Sequence, residues 1–273
     1  MLAGLGVLRL TCTFGYTSAV ALAPAKACLK GTRMSTLPAS DRSSLGRVAL
    51  VTGAASGIGA SVARSLRASG HSVAGFDLAA SDTDLSCIGD VTDAEAVSDA
   101  VIRITGELGA IDTVVSVAGY YEMIPFSKIT EAQWTRMLRV HLGGLTNIVR
   151  ATLPDMLDRR QGTIVAVSSE MAIGGGDGDA HYAAAKGAII GFIRSLAVEV
   201  ASQGIRVNSV APGACDTPLL AADSPWREHD YLDTLPARRL ARPDEVATAV
   251  QFLVDDGSFM VGEVISVNGG EVI

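Results

Sequence analysis

The sequence predicts an α/β protein, a single doubly wound domain in which a seven-stranded parallel sheet carries helices on both faces. Three observations lead there. From Arg47 onward, short β-branched runs alternate with longer stretches of helical periodicity, the pattern of repeated βαβ units. A glycine-rich segment joins the first of those runs to the first helix, as in Rossmann-type folds. The chain has 273 residues, 48% hydrophobic and 19% charged, enough apolar side chain for one large core.

The first strand, over 47–51, runs into Thr52-Gly53-Ala54-Ala55-Ser56-Gly57-Ile58-Gly59, and the helix after it stops at Gly70, a residue suited to a helix C-terminus. A second strand over 73–76 ends at Asp77. A third covers 85–89 and leads through a helix over 94–108 to a fourth over 113–117. Helices are expected over 131–158 and 182–203, with a strand over 163–167 between them. A strand over 205–210, a helix after Pro243 and a strand over 264–267 complete the sheet. Residues 214–240, with Pro218, Pro225, Trp226 and Pro236, read as an insertion. No internal repeat or low-complexity tract interrupts the chain.

Residues 1–42 are expected to lie outside this domain, which then spans 43–273. The stretch 1–40 contains no Asp or Glu but does contain Arg9, Lys26, Lys30 and Arg33. That composition suits a transit presequence or translated upstream sequence ahead of a start at Met34, of which the second is preferred; either is expected to be disordered.

The formal net charge is −7, with no Lys/Arg block, which argues against a nucleic-acid partner. The main body lacks the apolar run of a membrane span. Cysteines at 12, 28, 87 and 215 are too scattered for a metal cluster or disulfide framework, so no metal is expected. A cytoplasmic location follows, or an organelle if residues 1–33 are a presequence.

Chemistry begins at the glycines. Gly53, Gly57 and Gly59, with Ser56 and Ile58 among them, follow a strand and open a helix, where backbone N–H groups can hold a pyrophosphate. By itself such a loop also suits a tight turn. Asp77, downstream of Gly59 at the end of the second strand, can accept hydrogen bonds from adenosine ribose hydroxyls and repels a 2′-phosphate. Neither Ala54-Ala55-Ser56 nor Leu78-Ala79-Ala80 supplies a cation for such a phosphate, so the expected cofactor is NAD.

Hydride transfer at a carbinol carbon needs a group that takes or gives the hydroxyl proton. A tyrosine at about pKa 10 serves near neutrality only after roughly 4 kcal/mol of differential stabilisation. A helix N-terminus contributes about 0.3–2 kcal/mol, so a cation must help. Tyr182 and Lys186, four apart on one helical face, provide the pair. Ser169 ends the strand before them.

On these residues, the sequence from about Arg47 to its end resembles the classical short-chain dehydrogenases/reductases. The resemblance implies that Ser169, at the family's spacing ahead of Tyr182, orients the substrate; Ser168, which points the other way if the strand continues, is assigned as structural and is the alternative catalytic serine. It implies that Lys186 also bonds the nicotinamide ribose. Asp90 and Val91 would contact adenine, Ala118 and Gly119 would line the cofactor, and Pro212, Gly213 and Thr217 would shape the nicotinamide pocket; Thr217 alternatively starts a turn with Pro218. Ser116 and Val117 stand where the family has asparagines, which questions local rigidity.

His141 stands where the family has a fourth catalytic residue, an Asn. It is either part of an altered proton relay or a buried polar filler. His71, His181 and His229 are expected to be solvated or loop-capping. The substrate pocket is expected to use Tyr120, Tyr121, Glu122, Glu170, Met171, Leu219, Leu220, Trp226 and Tyr231, a lining suited to a moderately apolar alcohol or ketone.

The expected function is hydride exchange between NAD(H) and a secondary alcohol or ketone. The alternatives are a 3-oxoacyl-thioester reductase, weakened by the lack of a basic face beyond Arg159-Arg160, and a catalytically silent NAD-binding scaffold. The resemblance also implies a homo-oligomer, tetramer or dimer, paired through the helices over 131–158 and 182–203. Small residues such as Ala183, Ala184 and Gly191 permit close approach there.

Overall fold

The computed structural model describes residues 46–273; the expectations for the N-terminal extension, Cys12 and Cys28 lie outside the described residues. The first half of the chain forms β1 (Val48–Thr52), α1 (Gly57–Ala68), β2 (Ser72–Asp77), β3 (Leu85–Ile88), α2 (Ala94–Glu107) and β4 (Ile111–Ser116). Next come α3 (Glu131–Leu138), α4 (Gly144–Arg159), β5 (Gly162–Val167), α5 (Met171–Gly174) and α6 (Ala180–Val200). The chain ends with β6 (Ile205–Pro212), α7 (His229–Thr234), α8 (Pro243–Asp255) and β7 (Val264–Val267). All seven strands are parallel, in the order β3-β2-β1-β4-β5-β6-β7. The order reverses between β1 and β4, where open α/β sheets place ligands outside the carboxyl ends of the strands.

Alternation along β1 builds the core on both faces. Val48 and Leu50 join Ile104, Leu145, Ile148, Ile189 and Ile193 from α2, α4 and α6. Ala49 and Val51 point the other way, to Val62 and Leu66 of α1 and Val246 and Val250 of α8. Each fully buried Val, Leu or Ile stabilises the fold by about 1.5–3 kcal/mol. Arg206 closes the far end of this packing: its guanidinium donates to the carbonyls of Leu253 and Val254 at the end of α8 and to the Gly257 carbonyl just beyond it.

The helix expected over 131–158 is interrupted. Between α3 and α4 lies one π-helical turn, Arg139–Gly143. The helix beyond it passes close to Val91, where a Cβ on Gly144 would come within 2.9 Å of the Val91 Cβ. The helix expected over 182–203 starts two residues earlier, at Ala180, and its last residues form a 3-10 turn ended by Gly204 at φ +84°. The fourth strand stops at Ser116, because the Val117 N–H leaves the ladder for Thr52 Oγ1 at 3.0 Å. Within the expected insertion lie a 3-10 turn, Pro225–Arg227, and α7.

Candidate active site

A cavity of about 560 Å³ lies along the carboxyl ends of the strands. Its walls include Gly53, Ser56, Gly57, Ile58, Gly59, Asp77, Asp90, Val91, Ala118 and Gly119, and also His141, Ser169, Tyr182, Lys186, Pro212, Gly213 and Thr217. Every sequence-predicted catalytic and cofactor residue therefore faces one space.

At one end the backbone makes the site. Gly53 has φ +69°, and a Cβ there would meet the Ala118 nitrogen at 2.9 Å. Gly57 has φ +53° and lies against Thr217, whose side chain would sit 3.2 Å from an added Cβ. A Cβ on Gly59 would overlap the Gly53 carbonyl oxygen. Ser56 precedes α1 in an extended conformation and makes no side-chain cap, so the first-turn N–H groups remain available to an anion. This cradle fits a nicotinamide dinucleotide: the glycines admit the pyrophosphate to the backbone.

Asp77 is fixed at the end of β2 by two backbone N–H groups. Its Oδ2 accepts from the Ala55 N–H at 3.0 Å and its Oδ1 from the Ala79 N–H at 3.2 Å. Each oxygen keeps a lone pair for a hydroxyl donor. Among the described residues the cations in the cavity wall are Lys186 and Arg136, and Arg136 sits over the Tyr120 ring, 4.5 Å from its centroid.

Ser116 and Val117 do not leave this end loose. Thr52 Oγ1 accepts from both the Val117 and Ala118 N–H groups, at 3.0 and 3.1 Å, and so ties the end of β1 to the end of β4. Nothing in the sequence alone singled out this threonine.

At the other end side chains make the site. Tyr182 lies in the first turn of α6. Lys186, one turn on, places its Nζ 5.7 Å from the Tyr182 ring centroid and donates to the Val167 carbonyl at 2.8 Å. Ser168 is buried and donates to the Lys186 carbonyl at 2.9 Å. Ser169 turns to the cavity, where its hydroxyl donates to Glu170 Oε2 at 3.2 Å and accepts from the Met171 N–H at 3.2 Å.

Electrostatics there favour the uncharged form of each group. Desolvation, then Glu170, pushes the Tyr182 phenol up, and the Ser169 hydroxyl pulls only weakly the other way. Desolvation brings the Lys186 ammonium down to about 8, with Glu170 resisting. Burial followed by the Glu271 charge raises Glu170 to about 7.

His141 sits in the π turn, 3% exposed. Its ring stacks on Tyr120 and meets Tyr182 edge-on, with centroids 5.7 and 5.5 Å away. Nε2 lies 2.9 Å from the Tyr120 carbonyl, which assigns the hydrogen to Nε2 and leaves Nδ1 a buried acceptor without a partner. Burial, then Lys186, lowers the imidazole to about 3, so it stays neutral. Gly119 is required beside it, since a Cβ would strike the ring.

Two expected pocket residues lie outside the cavity wall. Glu122 is drawn to Arg136, 3.6 Å away, and Tyr231 donates to Glu271 Oε1 at 2.7 Å. Trp226 donates to the Tyr121 hydroxyl at 3.0 Å, docking the 214–240 segment on the cavity. The other histidines fall into three different settings. His71 is buried and bonded to the Leu66 carbonyl, as a loop cap would be. His181 is neither solvated nor capping: it is 1% exposed, stacks near Trp134, and leaves both nitrogens unpartnered. His229 is exposed.

Comparison with known proteins agrees with this geometry. The family described as enoyl-(acyl carrier protein) reductase matches residues 53–271. The acetoacetyl-CoA reductase of Synechocystis sp. is 37% identical over 228 residues, covering 82% of this chain and 95% of that protein. The chain belongs to the classical short-chain dehydrogenase/reductase family. The 3-oxoacyl-[acyl-carrier-protein] reductase FabG of Escherichia coli is 36% identical over 238 residues, covering 82% of this chain and 97% of that one. The solved structure of gox2181 superposes with a TM-score of 0.77 at 33% identity, covering 82% of this chain and 95% of that one. The protein is thus an oxidoreductase of a family that uses a nicotinamide cofactor on CH–OH and keto groups. Among the described residues no helix is long and apolar enough to cross a membrane, and no group of three His, Cys, Asp or Glu side chains forms a metal site.

Proposed function

We propose that the protein interconverts a secondary alcohol and a ketone with NAD(H), Tyr182 serving as acid/base. The observation behind this is one cavity with Ser169, Tyr182 and Lys186 at one end and Asp77, with no cation beside it among the described residues, at the other. Gly53, Ser56, Gly57, Ile58 and Gly59 hold the pyrophosphate. Asp77 holds the adenosine ribose and disfavours a 2′-phosphate, Asp90 and Val91 flank adenine, and Ala118, Gly119, Pro212, Gly213 and Thr217 enclose the nicotinamide half. When bound, the cofactor supplies the hydride-accepting ring and a positive charge.

The chain's own groups handle the proton. Ser169 orients the substrate oxygen and Tyr182 gives or takes its hydrogen. Lys186 holds the ribose and stabilises the phenolate; with the cofactor's charge it must reverse the upward push on Tyr182, worth about 1.4 kcal/mol per pKa unit. His141, neutral, offers Nδ1 as an acceptor for the proton path beyond Lys186.

A second reading, reduction of a 3-oxoacyl thioester, is favoured by what the two curated relatives are named for. A panel of secondary alcohols with NAD, run beside short β-ketoacyl thioesters with NADH and NADPH, separates the two. The Tyr182→Phe variant is expected to bind NADH and to lose about 10²–10⁴-fold in turnover. A near-normal rate overturns the mechanism, and total inactivity of the unmodified protein with tight NAD binding selects the silent scaffold. If His141→Ala leaves rate and pH profile unchanged, the relay role fails. Ala184, Gly191 and Val198 on the open face of α6 support a homo-oligomer, and a monomeric mass by light scattering refutes that assembly.

A further inference from the structure

We propose that Glu170 is a positioning residue that competes with the substrate for the hydroxyl hydrogen of Ser169, holding it when charged and releasing it when protonated. The proposal rests on the reading of Ser169 and Tyr182 given above.

A serine has one hydrogen to donate. In this structure it lies on Glu170 Oε2, while the Met171 N–H already occupies part of the acceptor capacity of Ser169 Oγ. A substrate carbonyl needs that same hydrogen. A protonated Glu170 can instead donate to Ser169 Oγ, which frees the serine hydrogen to point at the substrate. Both side chains are buried, so water is a poor substitute partner for either.

The surroundings favour proton uptake by Glu170. Glu271, from the C-terminal segment, is the strongest charge upon it; one oxygen of Glu271 takes the Tyr231 hydrogen, and the other is buried without a partner. Asp179, fully buried ahead of α6, adds a third carboxylate. From α6 come the Tyr182 phenol and a cation, Lys186. The result is a carboxyl group that changes charge near neutrality. Its charged form also pushes the Tyr182 phenol up. Ketone reduction needs the serine hydrogen presented, so it is expected to weaken as Glu170 ionises.

The test is the pH profile of kcat/KM for ketone reduction at saturating NADH, with a ketone taken from the substrate panel. The unmodified enzyme is expected to fall about tenfold per pH unit above the Glu170 transition. In Glu170→Gln that fall disappears, whatever the absolute rate. In Glu271→Gln it moves to lower pH, because the removed charge no longer resists ionisation. A carboxyl-carbon NMR titration of the unmodified protein reads the same transition without turnover, and Glu170→Gln identifies its signal. Identical profiles in the unmodified and Glu170→Gln enzymes overturn the proposal, as does a Glu170 signal that stays ionised down to pH 5. Tyr182→Phe distinguishes the failures. If that variant is inactive while the profiles coincide, only the role of Glu170 falls; if it is active, the underlying mechanism falls as well.

Discussion

The two ends of the cavity are built by different means. At the Gly53–Gly59 end the ligand-facing surface is backbone, and the demand on sequence is the absence of a side chain. At the Ser169–Tyr182 end the surface is side chain, brought together from the end of β5, α6, the π turn and the 214–240 segment. Backbone sites are fixed by steric exclusion and tolerate almost no substitution. Side-chain sites are fixed by hydrogen bonds that can be lost one at a time. The first end therefore fails abruptly and the second by degrees.

Gly59→Ala tests the abrupt end. The added Cβ meets a carbonyl oxygen that cannot rotate away, so the variant is expected to lose about 3 kcal/mol or more of stability and its NADH binding. Denaturant unfolding and fluorescence titration with NADH measure both. A variant that binds NADH normally would break the contrast.

Glu170→Gln probes the graded end through stability. The native carboxyl binds its proton more tightly than a free glutamate at 4.5, so its contribution is fully present below 4.5 and is lost as pH rises through about 7. Glutamine removes that loss. The variant is expected to gain about 3 kcal/mol at pH 8 and nothing at pH 4.5, as read from paired unfolding curves at the two pH values.

Thr52→Val is smaller. It leaves the Val117 and Ala118 N–H groups without their acceptor, at an expected cost of about 1–3 kcal/mol, and it should weaken NADH binding more than substrate binding. Trp226→Phe keeps an aromatic ring but not the pyrrole N–H, and loses one hydrogen bond to Tyr121, about 0.5–1.5 kcal/mol. Its expected sign is a higher KM for the alcohol with unchanged NADH affinity. A change in NADH affinity instead would show that the two ends are not separable.

The same contrast explains what could be read beforehand. The seven strands, their parallel sense, the glycine loop and Asp77 were legible because each is a local pattern: a buried run, a turn, an acid at a strand end. Tyr182, Lys186 and Ser169 were legible because they share one stretch of chain and one family pattern. The pairing of Trp226 with Tyr121 spans 105 residues, and that of Tyr231 with Glu271 spans 40; no periodicity encodes such meetings. Tyr231 is turned away for that reason, by a partner outside the cavity wall, and Glu122 is drawn aside by Arg136 at the cavity's edge. His181 was misread as a loop residue because the helix was expected to begin after it. Thr52 passed unnoticed since a threonine at a strand end is ordinary until two N–H groups point at it.

The π turn at Arg139–Gly143 has a further consequence. A regular helix advances about 100° per residue, so one residue more than the α-helical repeat acts as a phase shift between the segments on either side of it. The face of α3 and the face of α4 are set independently, and His141 lies where the two settings meet. Deleting a single residue in this turn would restore a regular helix and rotate α3 by about 100° against α4. A length change in this turn is thus passed on as a rotation between α3 and α4, although neither end of the turn looks irregular in the sequence.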